Sequence, residues 1–213
     1  TASLGSYNCF LIYGITGSGK TEVYLQCISV VLANKQQALV LVPEISLTPQ
    51  LVGRFRERFN VVIDVLHSGM SDTQRMQAWN RAREGESSIL IGTRSAVFVP
   101  LARPGIIILD EEHDASFKQQ DGFRYHARDV AIKRASMEAI PVVMGSATPS
   151  LESWHNAKQA RFKLLTLEQR ATAGGLPDIH LLDLEKQALE SGISIPLRDG
   201  VRRCSKQGEQ SLL

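Results

Sequence analysis

Residues 14–21 constrain the fold of this chain more than any other stretch. They read G-x-x-x-x-G-K-T and lie between the apolar run 9–13 and a stretch with helical periodicity. A glycine-rich turn between a strand and a helix can enclose phosphate groups. Small residues let backbone N–H groups converge on an anion, and the helix directs its positive end toward it. The sequence therefore predicts a nucleotide-phosphate site within an α/β fold.

The residue types in this turn indicate their parts in binding. Lys20 would reach the β- and γ-phosphates, and the Thr21 hydroxyl would be a ligand of Mg²⁺. A chance match is the weaker interpretation, because average residue frequencies produce this pattern in on the order of one per cent of chains this long. The predicted nucleotide-binding residues are Gly14, Thr16, Gly17, Ser18, Gly19, Lys20 and Thr21.

Short apolar runs alternate with amphipathic stretches between residues 10 and 146. The runs are continuous, as is typical of strands buried on both faces of a parallel sheet. We predict strands at 10–14, 38–43, 61–67, 88–92, 106–110 and 142–146, and helices at 21–34, 47–59, 72–84 and 127–138. In the first helix, Val23, Cys27, Ile28 and Val31 would form the inward stripe. This order predicts an α/β fold with a doubly wound, mostly parallel sheet of the P-loop NTPase class.

Composition narrows the class of protein without identifying it. The net charge of +2 is too small to indicate a polyanionic partner by itself. The three cysteines are far apart and form no C-x-x-C pair, so they favour neither a disulfide framework nor a zinc site. No apolar run approaches the roughly 18 residues of a membrane span. We therefore predict a soluble cytoplasmic protein without a membrane partner.

A run of acidic residues follows one of the apolar strands. Residues 106–109 lead into Asp110, Glu111, Glu112 and His113. In a P-loop ATPase, an aspartate at this place holds Mg²⁺, and a following glutamate can orient and deprotonate the attacking water. The alternative is a solvated acidic loop, but adjacent carboxylates repel one another and favour a nearby cation. The predicted catalytic residues are Lys20, Asp110 and Glu111, and the predicted metal ligands are Thr21 and Asp110.

Two further strand ends carry small polar residues. Ser146 and Thr148 could hydrogen-bond an acidic neighbour or His113, although Ser-Ala-Thr-Pro is also an ordinary turn. Residues 93–95, Thr-Arg-Ser, would suit a phosphate backbone, although they too could form an ordinary loop.

Residues 117–128 combine three aromatic rings with four basic side chains around Gly122. The rings are Phe117, Phe123 and Tyr125, and the basic residues are Lys118, Arg124, His126 and Arg128. Bases of single-stranded nucleic acid stack on such rings while guanidinium groups contact phosphates. Composition alone leaves open the alternative that the rings belong to the core.

Several other polar and aromatic residues favour a structural interpretation. Arg54, Arg56 and Arg58 would form a solvated helix face; His67, His155 and His180 would be structural, and Trp79 and Trp154 would be core or half-buried anchors.

The ordered motifs resemble the first motor lobe of superfamily 2 helicases, and most closely the bacterial replication-restart family. The resemblance runs through GITGSGKTEVYL, VPEISLTPQ, FRERFN, VLHSGMS, IGTRSAVF, DEEHD, SFKQQDGFRYHARD and GSATPSLES. It implies a RecA-like lobe of a 3′→5′ ATP-driven DNA helicase that acts on stalled forks. It further implies coupling residues His113, Ser146 and Thr148, and DNA contacts Thr93, Arg94, Ser95, Phe123, Arg124 and Tyr125.

The resemblance also implies cofactors, partners and a domain division. The cofactors would be ATP and Mg²⁺, with zinc confined to a C-terminal module outside this chain. The partners would be single-stranded and branched fork DNA, primosome proteins and single-strand-binding protein, and the chain would be a nucleoid-associated monomer. Residues 1–183 would form the first lobe, and 184–213 a connector and the truncated start of a second lobe. Residues 196–205 would be a basic helix and 210–213 the start of a strand.

A motor fragment of this kind should be a poor ATPase. In superfamily 2 motors the second lobe supplies arginine fingers, which contribute roughly 10³- to 10⁵-fold in related NTPases. We therefore expect weak nucleotide binding and negligible turnover. Three alternatives remain: another superfamily 2 translocase such as a RecQ-like or restriction-type motor, a nucleotide kinase or transporter ATPase, and a binding module without turnover.

Overall fold

The computed structural model describes residues 5–170, 179–187 and 189–212. It divides into two compact units, residues 1–173 and 174–213. The predicted boundary at residue 183 lies ten residues beyond this division and stays a prediction. Within the described residues, none of the helices combines the length and apolarity needed to cross a membrane.

The first unit is built on one parallel sheet of seven strands. The strands are β1 (Asn8–Gly14), β2 (Gln37–Leu41), β3 (Ile63–Leu66), β4 (Ile89–Gly92), β5 (Pro104–Asp110), β8 (Pro141–Ser146) and β9 (Lys163–Leu167). Their order across the sheet is β3-β4-β2-β5-β8-β1-β9. Two short strands, β6 (Lys118–Gln119) and β7 (Tyr125–His126), form a separate antiparallel pair.

Helices cover both faces of the sheet. They are α1 (Lys20–Ala33), α2 (Pro49–Arg58), α3 (Asp72–Glu84), α4 (Ala127–Met137) and α5 (Leu151–Lys158). One core cluster contains side chains of α1 and α2, and the other contains alanines of α3, α4 and α5. The central strands bury nearly every side chain, which explains their continuous apolar runs. The predicted doubly wound, parallel α/β fold is confirmed.

The predicted inward stripe of α1 faces the core, where Val23 and Cys27 pack against the buried cluster, but the prediction is incomplete. The buried apolar residues of this helix are Tyr24, Leu25, Ile28 and Val31, whereas Val23 and Cys27 are half-buried. Tyr24 was not predicted to be buried because its ring carries a polar hydroxyl. That hydroxyl donates a hydrogen bond to an acceptor described below.

Besides the short pair β6 and β7, strand β9 and helix α5 of the first unit were not predicted. Strand β9 pairs only on its β1 side and leaves much of its surface exposed, so it lacks the apolar run of a central strand. Helix α5 has eight residues and buries only Ser153 and Ala157, which is too little to produce a clear apolar period.

The described residues of the second unit form a 3₁₀ turn (Leu184–Lys186), a hairpin and an α-helix. Strands β10 (Leu189–Glu190) and β11 (Ile193–Ser194) pair antiparallel, and α6 (Ile195–Lys206) confirms the predicted basic helix. The predicted strand at 210–213 is wrong for residues 210–212, which form no strand, and Leu213 lies outside the described residues. An isolated strand without a neighbour is not stable, and residues 210–212 pair with none in this unit.

Candidate active site

The phosphate-binding loop joins β1 to α1 at the carboxyl edge of the sheet. Gly17 and Gly19 have φ values of 80° and 92°, a region that favours glycine. Gly19 is the N-cap of α1 and supplies no side-chain cap, so the first N–H groups of the helix are available to an anion. Ser18 Oγ is buried without a hydrogen-bond partner in the described structure. An unsatisfied buried hydroxyl beside uncapped amides fits a bound phosphate.

Lys20 is held inside this loop. Its side chain is buried, its Nζ donates a hydrogen bond to the Gly14 carbonyl over 2.9 Å, and Glu111 Oε1 lies 3.9 Å away. The ammonium group therefore lies between the loop backbone and the acidic run. A phosphate in the loop could replace either oxygen with little movement of the side chain.

The acidic run begins where β5 ends. Asp110 Oδ1 accepts a hydrogen bond of 3.0 Å from the hydroxyl of Tyr24, on α1. Burial, and then the charge of Glu111, raises the pKa of Asp110 above its ordinary value. Such a carboxylate gains from a cation, because a cation offsets both causes. Within the described residues, no group of three or more His, Cys, Asp or Glu is placed to hold a metal ion, and the assignment of Thr21 and Asp110 as metal ligands stays a prediction.

Glu111 has the backbone conformation of a strained site residue. Its φ of 49° is left-handed, which is uncommon for a residue with a Cβ. Its side chain is one-third exposed, with Oε1 near Lys20 and Oε2 3.6 Å from His113 Nδ1. Since the carboxylate is neither fully buried nor fully solvated, it can contact a water molecule at the mouth of the loop.

His113 joins the acidic run to the end of β8. Its Nδ1 lies 2.7 Å from Ser146 Oγ, and its Nε2 lies 3.3 Å from Thr148 Oγ1. The Thr148 amide donates to Ser146 Oγ over 2.9 Å, which fixes the turn. The three residues predicted to couple hydrolysis to movement are therefore in mutual contact beside Glu111.

Sequence reasoning missed a buried ionic cluster behind the site. Glu112 is 0% exposed, and its carboxylate lies 3.3 Å from Arg128 Nη1. It also accepts hydrogen bonds from the Ser150 amide (2.8 Å), the Ser150 hydroxyl (3.1 Å) and the Ser153 hydroxyl (2.8 Å). This Glu112 cluster ties the end of β5 to the first turns of α4 and α5. Sequence spacing could not predict this cluster, because the partners of Glu112 lie 16 to 41 residues away from it in the chain.

A cavity of about 600 Å³ opens over the phosphate loop. Its lining includes Thr16, Gly17, Ser18, Gly19, Lys20, Thr21, Asp110 and Glu111, and also Glu22, Leu25, Arg54, Glu57 and Arg58. Apart from Gly14, all the predicted nucleotide-binding and catalytic residues therefore line this cavity. Arg54, Arg56 and Arg58 are exposed, as predicted, but Arg54 and Arg58 also line the cavity.

The predicted DNA-contacting residues differ in accessibility. Thr93 is 4% exposed, and Ser95 is exposed. Arg94 Nη1 donates to the carbonyls of Ser116 (2.9 Å) and Lys118 (3.1 Å), so this arginine holds the start of the aromatic segment. The assignment of these residues to DNA stays a prediction.

The aromatic segment divides between core and surface. Phe117 is fully buried and belongs to the core, whereas Phe123 is 79% exposed beside the turn at Gly122. Tyr125 is half-buried, and its ring lies 6.0 Å from that of Phe123 and 4.9 Å, edge to face, from that of Phe98. Sequence reasoning did not group Phe98, which is 45% exposed, with the aromatic segment, because it lies 27 residues before Tyr125.

The remaining histidines and tryptophans mostly occupy structural or surface positions. His67 Nδ1 accepts a hydrogen bond from the Gly69 amide over 3.1 Å, while His155 and His180 are exposed. Trp154 is half-buried and contacts Tyr13 edge to face at 5.4 Å, and Trp79 is 37% exposed.

Comparisons with known proteins give matches over most of the chain. A model of the DEAD/DEAH box helicase family matches residues 3–157. The replication restart protein PriA of Haemophilus influenzae is 53% identical over 207 residues, which cover 97% of this chain and 28% of that protein. PriA of Bacillus subtilis is 44% identical over 217 residues, which cover 100% of this chain and 27% of that protein. The chain thus spans a little over a quarter of the length of these relatives.

Solved structures share the fold of this chain. RecG bound to a three-way DNA junction matches 78% of this chain and 21% of its own, with a TM-score of 0.55 and 22% identity. The helicase MrfA bound to DNA and AMPPNP matches 79% of this chain and 26% of its own, with a TM-score of 0.56 and 17% identity. At these identities the likeness extends to the fold alone.

Proposed function

The chain belongs to the DEAD/DEAH box helicase family, and from this premise we propose that it is the ATP-binding motor lobe of a 3′→5′ DNA helicase that restarts stalled replication forks. In the longer protein, ATP hydrolysis would drive translocation along single-stranded DNA and support primosome assembly. The identity with replication restart proteins PriA over nearly the whole chain supports this choice among helicases.

The observation that carries the proposal is the convergence of Lys20, Asp110 and Glu111 on one cavity at the carboxyl ends of parallel strands. Mg²⁺ bound with ATP would neutralise the charge that develops on the phosphates. Lys20 would leave the Gly14 carbonyl for a phosphate oxygen, and Asp110 and Thr21 would hold the metal. Glu111 would orient the attacking water and accept its proton.

The contacts of His113 would couple ATP hydrolysis to movement of the chain. Because His113 lies between Glu111 and the turn after β8, a change at the carboxylate would alter its hydrogen bonds to Ser146 and Thr148. That turn leads directly into α5, whose N-cap Ser150 belongs to the Glu112 cluster. Movement of the turn would therefore be transmitted through Arg128 to the segment that bears the exposed aromatic rings.

For DNA, we propose surface contacts through Ser95, Phe123, Arg124 and Tyr125. Exposed aromatic rings beside an arginine suit base stacking and phosphate binding. We assign Arg94 to holding the segment as well as to DNA, and Thr93, with its buried side chain, to positioning the turn. Single-stranded and branched DNA, primosome proteins and single-strand-binding protein would be the partners of a monomer in the bacterial cytoplasm.

We further propose that this chain alone binds ATP weakly and hydrolyses it at background rate. The loop residues Thr16 and Gly17 are exposed, so solvent reaches the phosphate site. Transition-state charge is poorly stabilised in a site open to water. A second lobe of the longer protein would have to cover it and supply the arginine.

The test compares MgATP binding and turnover, with and without branched DNA carrying a single strand. Wild-type chain should bind MgATP and turn it over no faster than Lys20→Ala, and the full-length protein should hydrolyse ATP in a DNA-stimulated manner that Glu111→Gln abolishes. Absence of MgATP binding, or full-length activity indifferent to DNA, would overturn the proposed function. Robust turnover by the isolated chain would overturn the need for a second lobe.

A further inference from the structure

Helix α2 presents a charged face to the cavity over the phosphate loop. Its buried residues are Val52 and Phe55, and Thr48 caps its first turn. Arg54, Glu57 and Arg58, at positions i, i+3 and i+4, lie on one face and line the cavity. Arg56 lies on the same helix but outside the lining. The spacing therefore separates two cavity arginines from one solvated arginine.

An ion pair with Glu22 places Arg58 near the phosphate loop. Its Nη2 lies 3.6 Å from Glu22 Oε1, and Glu22 directly follows the loop residue Thr21. Phosphates bound by the loop would lie at the N-terminus of α1. The α2 arginines line the same cavity as the loop, beside this N-terminus, within reach of a ligand that is larger than its phosphates alone.

The cationic cavity residues that are left without an assigned role in nucleotide binding are Arg54 and Arg58. The ammonium of Lys20 and the loop amides can bind the phosphates, while Asp110 and Glu111 lie where metal and water are needed. A planar guanidinium can stack on a purine ring and donate to ribose hydroxyls. Both arginines are exposed, so ligand contacts would require no rearrangement of the core.

We propose that Arg54 and Arg58 bind the nucleoside part of the nucleotide and so complete a site whose phosphate part is the loop. This inference rests on the proposed function. Arg58 would exchange its contact with Glu22 for the nucleoside, an inexpensive exchange because exposed ion pairs contribute little. Nucleotide affinity of this lobe would then depend on α2 as well as on the phosphate loop.

The experiment measures binding of MgADP, MgATP and inorganic tripolyphosphate by calorimetry to wild type, Arg54→Ala, Arg58→Ala, Arg56→Ala and Lys20→Ala. Circular dichroism would show that each variant is folded. Arg54→Ala and Arg58→Ala should each weaken MgADP and MgATP binding by the same factor, roughly 2- to 30-fold if they stack on the base. Tripolyphosphate binding should be unchanged, and Arg56→Ala should match wild type.

The outcomes separate this inference from the proposed function. Equal affinities of wild type and both cavity variants, together with loss in Lys20→Ala, would leave the proposed function standing and overturn the inference. Weakened tripolyphosphate binding in the cavity variants would also overturn it, because the arginines would then bind phosphates. If wild type binds no MgADP, the proposed function and the inference both fail.

Discussion

Replacing Arg128 by methionine should destabilise the protein far more than loss of a surface ion pair. The variant removes the cation paired with Glu112, whose carboxylate is fully buried, and the 2.6 Å hydrogen bond to Ser150. Methionine retains much of the side-chain volume, so the main effect is an uncompensated buried charge. Breaking a buried pair in this way costs about 3–5 kcal/mol. Because three neutral donors to Glu112 remain, we expect about 3 kcal/mol.

Urea unfolding followed by circular dichroism measures this loss. With a slope of about 2 kcal/mol/M, 3 kcal/mol shifts the midpoint by about 1.5 M. The matched control is Asp129→Asn, which removes the exposed partner 3.1 Å from Arg128 Nε and should cost about 1 kcal/mol or less. A double variant, Glu112→Met with Arg128→Met, should recover part of the loss because no buried charge is left.

Two results would refute this reasoning. The first is that Arg128→Met costs no more than Asp129→Asn, which would mean that the buried pair has no special weight. The second is that the double variant loses the sum of the two single losses, which would mean that the two side chains act independently.

Three further predictions concern the surroundings of the site. A Cβ at Gly145 would collide with the Tyr24 hydroxyl, so Gly145→Ala should lower the free energy of unfolding by about 1–3 kcal/mol and weaken MgADP binding; unchanged urea curves would contradict this. Burial, and then the charge of Arg128, lowers the pKa of His126 from 6.5, and its Nδ1 accepts a hydrogen bond from the Arg128 amide at the start of α4. Stability should therefore fall as pH drops below about 6.5 toward the folded-state pKa, and His126→Asn, which keeps a cap but does not titrate, should lack that part of the loss. Phe98→Ala, which removes the ring packed edge to face against the proposed DNA contact Tyr125, should weaken binding of a labelled single-stranded oligonucleotide by about 1–3 kcal/mol in fluorescence anisotropy, with little change in stability; equal affinity would show that this ring does not support the DNA surface.

The central sheet and the phosphate loop were predictable because their signals are local. Strands buried on both faces must be continuously apolar, and the glycines of the loop reflect a backbone that residues with a Cβ rarely adopt. The edge strand β9 and the short helix α5 bury too little to leave such a pattern. The strand and the helix that prediction missed here are therefore elements that bury few side chains.

The parts of the site that could not be predicted depend on partners distant in the chain. Glu112 reads as one more acid in an acidic run, and only folding shows that it is enclosed while Glu111 is partly exposed. The split among Phe117, Phe123 and Tyr125 likewise depends on where the segment packs, since all three are aromatic. The cavity position of Arg54 and Arg58 follows from the packing of α2 near α1, which no local pattern records.

The strand order has a consequence for how the protein folds. Lys20 begins the helix after β1, and Asp110 and Ser146 end β5 and β8. These three strands are adjacent in the order β5-β8-β1, although up to 126 residues separate the three side chains. Closing such distant parallel pairs is a slow step, because chain entropy is lost before the contacts form. An intermediate with only β2, β3 and β4 assembled would lack the complete site. Nucleotide would then bind after the last central strands have paired, and bound nucleotide would mark, and stabilise, chains that have finished folding.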